Sequence, residues 1–446
     1  MLDHFMQAQV SVNNFNGNIL ISKSGSIIYE KSFGYSNYNT KKLLDNNSMF
    51  ELASVSKQFT AMGILILKDR GKLKLSDSLR HFFPELPYTN ITIQNLLTHT
   101  SGLPDYMDAM ATKWDHNKIA FNQDVIKFLA VEKIPPNFTP GAKWQYSNTG
   151  YEMLASIIEK VSGVTYSEFM QKNIFTPLGM NRSRVYNTRR SSKEIIPDYA
   201  YGFVYSDSLK RYILPDSLAA TDLVIYLDGI VGDGCINSTT DDLLKWNNGL
   251  KNHTLLDSAT QKEMLSPQSI VDTTYKTYYG YGVMLGKNEI GNYITHSGGW
   301  PGYHIMLTRY VDDDITIIVL SNNESNSSIL AGALAYIVTN RHVVAPYKHV
   351  MVPIDTSLLS RYVGEYLLPG LLTPVKLELT QKEGKLYCHF GKATVDLELK
   401  PESATKFFYD NRGADWQIEF ETDASKKVVN AFFIANCMKK EITRFE

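Results

Sequence analysis

Phe50–Leu73, FELASVSKQFTAMGILILKDRGKL, decides how the rest of the chain is read. Val55, Phe59, Met62 and Ile66 recur at i, i+4, i+7 and i+11, a helical period, and Gly71 supplies the stop. Leu65 and Leu67 make other faces apolar too, so the pattern predicts a helix buried inside the protein. Such a helix needs partners on every side. Gly17–Tyr35, GNILISKSGSIIYEKSFGY, reads as two strands joined by a glycine-containing turn. Residues 75–190 read as mostly helical, with turns at SGLPD and TPGAK. Ile315–Ser321, ITIIVLS, is a buried-strand run, and Ser328–Asn340 follows it as an apolar helix. Strands at both ends with helices between them predict one sheet assembled from distant segments, an α/β (α+β) core.

Beyond that core the pattern changes. Arg341–Thr356 carries two prolines, two histidines and no periodicity, and reads as a linker. From Leu358 onward come short alternating stretches: VKLELTQ, KLYCHFG, TVDLELK, WQIEFET and VVNAFFIA. They predict an antiparallel all-β unit, a small barrel or sandwich. The expected division is a catalytic-type domain over 1–340, a linker over 341–357 and a β domain over 358–446. No repeat at a solenoid or propeller period is visible.

The 446 residues carry 45 basic and 46 acidic side chains, a formal net charge of -1. With no basic excess to draw phosphates, nucleic acid is not an expected partner. The longest apolar run, Ile329–Val338, falls far short of the ~20 residues a membrane span needs. Three cysteines, Cys235, Cys388 and Cys437, are too few and scattered for a disulfide scaffold. Cys388 and Cys437 read as buried free thiols, with pairing open in an oxidising compartment. MLDHFMQAQV has neither a basic nor an apolar leader region. The expectation is a periplasmic or secreted protein if a leader was removed, and a cytoplasmic one otherwise. Oligomeric state is not readable.

Most chemistry-bearing motifs are missing. There is no HExxH, no CxxC pair, no GxSxG and no GxGxxG after a strand. GVMLGKN, from Gly282 to Asn288, is one residue short of a P-loop. No metal and no organic cofactor is expected. What remains is Ser54-Val-Ser-Lys57 at the start of the buried helix. Serine and lysine three apart share one helical face, and the helix N-terminus stabilises a developing alkoxide. Alone the motif is weak, since Ser403–Lys406 repeats it in the β unit. Tyr146-Ser-Asn148 follows, pairing a phenol able to act as a base with an amide able to hold a substrate amide. The third element, His296-Ser-Gly298 followed by Gly299-Trp300, closes a predicted strand, where a free N–H can complete an oxyanion hole.

In this order and context the three elements resemble the penicillin-recognising serine hydrolases: class C β-lactamases, D,D-carboxypeptidases and D-aminopeptidases of the S12 peptidase type. YSN stands where class A enzymes have SDN, and HSG where most have KTG. GNILISKSGSIIYEKSFGYSN, ITIQNLLTHTSGLP and DGIVGDGCINSTTDDLLKW extend the likeness over the first ~340 residues. The β unit, through RYVGEY and its strand pattern, is similar to the lipocalin-like domain appended to some of these hydrolases. The resemblance implies Ser54 as acylated nucleophile, Lys57 as its proton partner and Tyr146 as general base. It implies an oxyanion hole from the N–H groups of Ser54 and Gly299. Asn148, His296 and Gly298 would bind substrate, with His296 in the place of the usual lysine.

The implied function is hydrolysis of an amide or ester in a small-molecule or peptide substrate, foremost a D-amino-acid peptide. A class C-like β-lactamase or small-ester esterase is the alternative. A non-catalytic binding or sensor protein is the alternative from another class. His99 in LLTHTSG reads as a structural hydrogen-bonding residue, and His304, His342 and His349 are not expected to be ligands.

Overall fold

The computed structural model describes residues 1–186, 197–369, 375–391, 395–411 and 414–445. Thr394, the first residue of the expected TVDLELK strand, lies outside them. The chain divides into two compact units, Phe15–Ala331, and Met1–Asn14 together with Gly332–Glu446.

The first unit is built on an eight-stranded antiparallel sheet. Its strands are β1 (Gly17–Lys23), β2 (Ser26–Phe33), β3 (Ser269–Asp272), β4 (Thr277–Tyr279), β5 (Met284–Lys287), β6 (Asn292–Trp300), β7 (Tyr303–Tyr310) and β8 (Ile315–Ser321). They lie in the order β3-β4-β5-β6-β7-β8-β1-β2. The sheet does join distant segments: β1 pairs with β8, Gly17 opposite Ser321 and Lys23 opposite Ile315. Both strands are almost wholly buried, which is why they read as continuous apolar runs rather than alternating ones. The β1–β2 turn at Ser24-Gly25 has φ of 50° and 80°, the left-handed pair that a tight hairpin needs.

Helices Leu79–Phe82, Ile93–Leu97, Tyr106–Lys113, Asn122–Glu132 and Asn148–Ser162 form the helical part. The expected central helix is Lys57–Asp69, and every residue from Lys57 to Leu67 is buried. Each buried Leu, Ile or Phe side chain contributes roughly 1.5–3 kcal/mol. Together they hold the helix start rigidly although it contains a buried lysine. Gly63 lets helix Asn148–Ser162 come close, since a Cβ there would sit 2.8 Å from Ile158. Trp246, on helix Thr240–Lys251, packs on Phe59 at 4.1 Å between ring centroids, and its indole N–H donates to Gln58 Oε1 at 2.6 Å.

The second unit contains a closed barrel of eight antiparallel strands from Gly364–Leu368 to Met438–Arg444, each paired with the next in sequence. The last strand closes on the first, with Tyr366 opposite Arg444. Its interior is filled by Tyr366, Leu377, Leu379, Leu386, Phe407, Ile418 and Phe420. The barrel is therefore a packed core, an up-and-down arrangement like that of the lipocalins.

The stretch read as a linker is bonded to this barrel. The Val344 N–H donates to the Cys437 carbonyl at 2.8 Å, and Val352 to Pro401 at 2.9 Å. Helix Leu2–Asn13 also belongs to this unit, with Gln9 Nε2 reaching Cys437 Sγ at 3.6 Å. Cys388 and Cys437 are both buried and free. Among the described residues no helix is long and apolar enough to cross a membrane.

Candidate active site

Ser54 lies in a 3-10 turn, Ala53–Ser56, that runs directly into helix Lys57–Asp69. A 3-10 repeat places side chains i and i+3 one above the other. Lys57 Nζ accordingly sits 3.2 Å from Ser54 Oγ. Ala53, the residue before the serine, has φ of 46°, a left-handed conformation that costs an L-residue about 1 kcal/mol. The turn is strained where it carries the hydroxyl.

Lys57 is completely buried. Its ammonium also donates to Asn148 Oδ1 and to the Asp233 carbonyl, both at 2.9 Å. It stands 4.9 Å from the centre of the Tyr146 ring. Three donors and three acceptors balance, the condition under which a buried charge is tolerated. Ser147 starts helix Asn148–Ser162 by accepting the Gly150 N–H at 3.1 Å, which places Tyr146 and Asn148 on either side of a cap.

Ser54, Tyr146, Asn148 and Gly299 line one cleft of about 280 Å³, with Tyr106, Asp233, Cys235 and Trp300. Asn148 is engaged at both ends. Its Nδ2 donates to Asp105 Oδ2 at 3.2 Å and lies 3.7 Å from Met107 Sδ. The sulfur contact is weak, so a substrate carbonyl can replace it.

The third motif divides by the alternation of β6. Gly299 faces open space, whereas a Cβ on Gly298 would lie 2.1 Å from the Leu52 carbonyl oxygen. Gly298 thus lets β6 lie against the turn that carries Ser54. His296 is buried on β6 and is not among the residues lining this cleft, although its ring lies 6.3 Å from that of Tyr146. Its Nε2 is 3.1 Å from the Tyr279 hydroxyl, and its Nδ1 2.7 Å from the Ser297 carbonyl. Burial lowers its pKa to about 4, helped by the Lys57 charge and opposed by the Ser297 bond, so the ring is neutral near pH 7.

His99 has the structural part expected of it. Fully buried at φ 58°, it accepts the Ser147 N–H at 3.1 Å, and its ring packs 4.4 Å from Tyr146. Burial holds its pKa well below the ordinary histidine value.

Asp233, Tyr106 and Asp105 were not singled out from the sequence. The Tyr106 hydroxyl donates to Asp233 Oδ2 at 2.9 Å, and desolvation raises the pKa of both groups. Asp105 caps helix Tyr106–Lys113 while it holds Asn148. An aspartate before a helical run signals a cap, but nothing local links it to residue 148. Among the described residues no group of three His, Cys, Asp or Glu side chains could hold a metal ion.

The β-lactamase family model matches residues 4–338. Penicillin-binding protein 4* of Bacillus subtilis is 41% identical over 424 residues, covering 94% of this chain and 93% of that protein. A D-aminopeptidase of Brucella melitensis is 23% identical over 388 residues, covering 87% and 70% of the two chains. The solved penicillin-binding protein homologue of Pyrococcus abyssi, described as octameric, superposes with a TM-score of 0.67 at 24% identity, over 99% of both chains. A family model spanning three quarters of the sequence, and a relative this similar along nearly its whole length, make this chain a serine hydrolase of the β-lactamase family.

Proposed function

We propose that the protein hydrolyses an amide or ester bond, foremost in D-amino-acid-containing peptides, through an acyl-enzyme on Ser54. The observation that carries this reading is the buried Lys57 ammonium, bonded at once to Ser54 Oγ and Asn148 Oδ1 and set beneath Tyr146. Tyr146, as base, takes the Ser54 proton while Oγ bonds to the substrate carbonyl carbon, and Lys57 balances the charge. The resulting oxyanion is held by the N–H groups of Ser54 and Gly299. The proton then passes to the leaving nitrogen or oxygen as its bond to carbon breaks. Water, deprotonated by the same Tyr146, attacks the ester and returns Ser54 with release of the acid. Asn148 Nδ2 holds the substrate amide. His296 and Gly298 act from behind, holding β6 and Tyr146 in place.

The D-aminopeptidase relative supports the D-peptide reading. So does the cleft's lining, which among the described residues holds no cation free to seat a carboxylate, since Lys57 is spent on protein acceptors.

A fluorophosphonate should label Ser54, and Ser54→Ala should abolish both labelling and turnover, a loss of several orders of magnitude. A stable adduct elsewhere with Ser54 untouched would overturn the mechanism. Parallel assay of D- and L-aminoacyl anilides, a D-Ala-D-Ala peptide, nitrocefin and p-nitrophenyl esters tests the substrate class. D-aminoacyl anilides are expected to be the best substrates and nitrocefin a poor one.

A further inference from the structure

A second concavity, about 580 Å³, lies in the Phe15–Ala331 unit against β5, β6 and β7. Register sets Leu285, Ile294 and Arg309 side by side across these strands. Lys287 and Asn292 form the next row on the same face. The end of helix Thr240–Lys251 supplies Leu250 and Lys251 to the lining.

Arg309 is the unusual group. Its Nε is buried and meets no acceptor, and the guanidinium has no hydrogen bond within the described residues. A half-buried cation with idle donors is costly unless something else binds them. The nearest carboxylate acting on it, Asp314, is already held by Lys251. Asp312, also in the lining, is bound by the backbone and side-chain N–H groups of Asn292. Lys276 and Lys287 add two exposed cations to the same wall, and neither is in an ion pair within 4 Å among the described residues.

We propose that this concavity binds an oxyanion, a carboxylate or a phosphate, seated end-on against the two terminal nitrogens of Arg309 and flanked by Lys276 and Lys287. A planar guanidinium fork matches two oxygens of such a group, and partial burial strengthens the pair. None of these residues lines the cleft at Ser54, so the anion occupies a site separate from the hydrolytic one.

Titration calorimetry of the full chain at fixed ionic strength, with inorganic phosphate and separately with citrate, tests the proposal. Saturable 1:1 binding of at least one probe is expected, and the probe that binds identifies the source of the oxyanion. Arg309→Lys keeps the charge but loses the fork, and should weaken binding at least tenfold at an unchanged melting temperature. Should that variant fold poorly, Lys276→Gln with Lys287→Gln, both on exposed positions, should weaken binding about tenfold. Absence of saturable binding by either probe, or affinity unchanged in the folded variants, overturns the site.

Discussion

Lys57 spends all three of its donors inside the protein, and that makes single residues beside it matter more than their distance from Ser54 suggests. Tyr106→Phe removes the bond to Asp233 Oδ2 and frees the loop whose carbonyl holds the ammonium. A roughly tenfold fall in kcat with KM little changed is expected, because the change keeps the ring that lines the cleft and removes only the hydroxyl that bonds Asp233. Steady-state kinetics on the best anilide checks it. Ser54 and Lys57 were legible because three residues of one turn bring them together. Asp233 and Tyr106 were not, because only the fold joins positions 127 apart in the chain. His296 was legible as a motif residue, whereas its bond to Tyr279 was not, since only the fold brings that hydroxyl to the ring. Its neutral burial has a measurable consequence. The folded imidazole resists protonation down to about pH 4, whereas the unfolded one takes a proton near 6.5. Its contribution is therefore complete above pH 6.5 and is lost as pH falls through that window. The loss amounts to about 2 kcal/mol between pH 7 and pH 5. Urea unfolding at the two pH values should show the acid loss shrinking by that order in His296→Gln. An equal loss in both proteins would place the proton uptake elsewhere.

Among the elements, β6 and the 3-10 turn before helix Lys57–Asp69 carry the two N–H groups proposed as the oxyanion hole. In the proposed mechanism the turn supplies the Ser54 N–H and β6 the Gly299 N–H, and β6 can lie this close to Leu52, two residues before the serine, because residue 298 has no Cβ. Gly298→Ala would put a methyl group 2.1 Å from the Leu52 oxygen, a backbone atom that cannot swing aside as a flexible side chain would. Turnover should fall 10²–10³-fold, the usual effect of losing one oxyanion donor, alongside a lower melting temperature. Gly299→Ala meets open space and should leave the melting temperature nearly unchanged. A Gly298→Ala protein as active as wild type would show that the turn and strand do not set the hole. The element types were readable from period and run length: the buried helix, the β1–β2 hairpin and the β8 run all form where the pattern places them. Strand order was not readable, because the pairing of β1 with β8 depends on which buried runs meet, and both are equally apolar.

At the scale of the whole molecule the division of the chain makes its own prediction. Sequence pattern places the boundary in residues 341–357, and we propose that a chain ending there folds. The first helix complicates that simple cut. Leu2–Asn13 buries Phe5, Met6 and Gln9, and its unit is that of the barrel, where Gln9 meets Cys437. A truncated chain of residues 1–340 keeps this helix without the strands of its unit and without Cys437, the partner of Gln9. A chain of residues 15–340 removes the helix as well and should be the more soluble of the two, with a sharper thermal transition. Limited proteolysis of the intact protein bears on the same division. Residues 342–352 are tied to the barrel by the Val344 and Val352 backbone bonds. His349 is clasped between Glu402 and Asp415 at 3.2 and 3.1 Å. An exposed linker would be the first point of attack, but a stretch bonded in this way should be cut slowly. Mass spectrometry of the early fragments distinguishes the two outcomes. Rapid cleavage within 342–352 would mean that these bonds open readily, and then the 1–340 and 15–340 chains should behave alike.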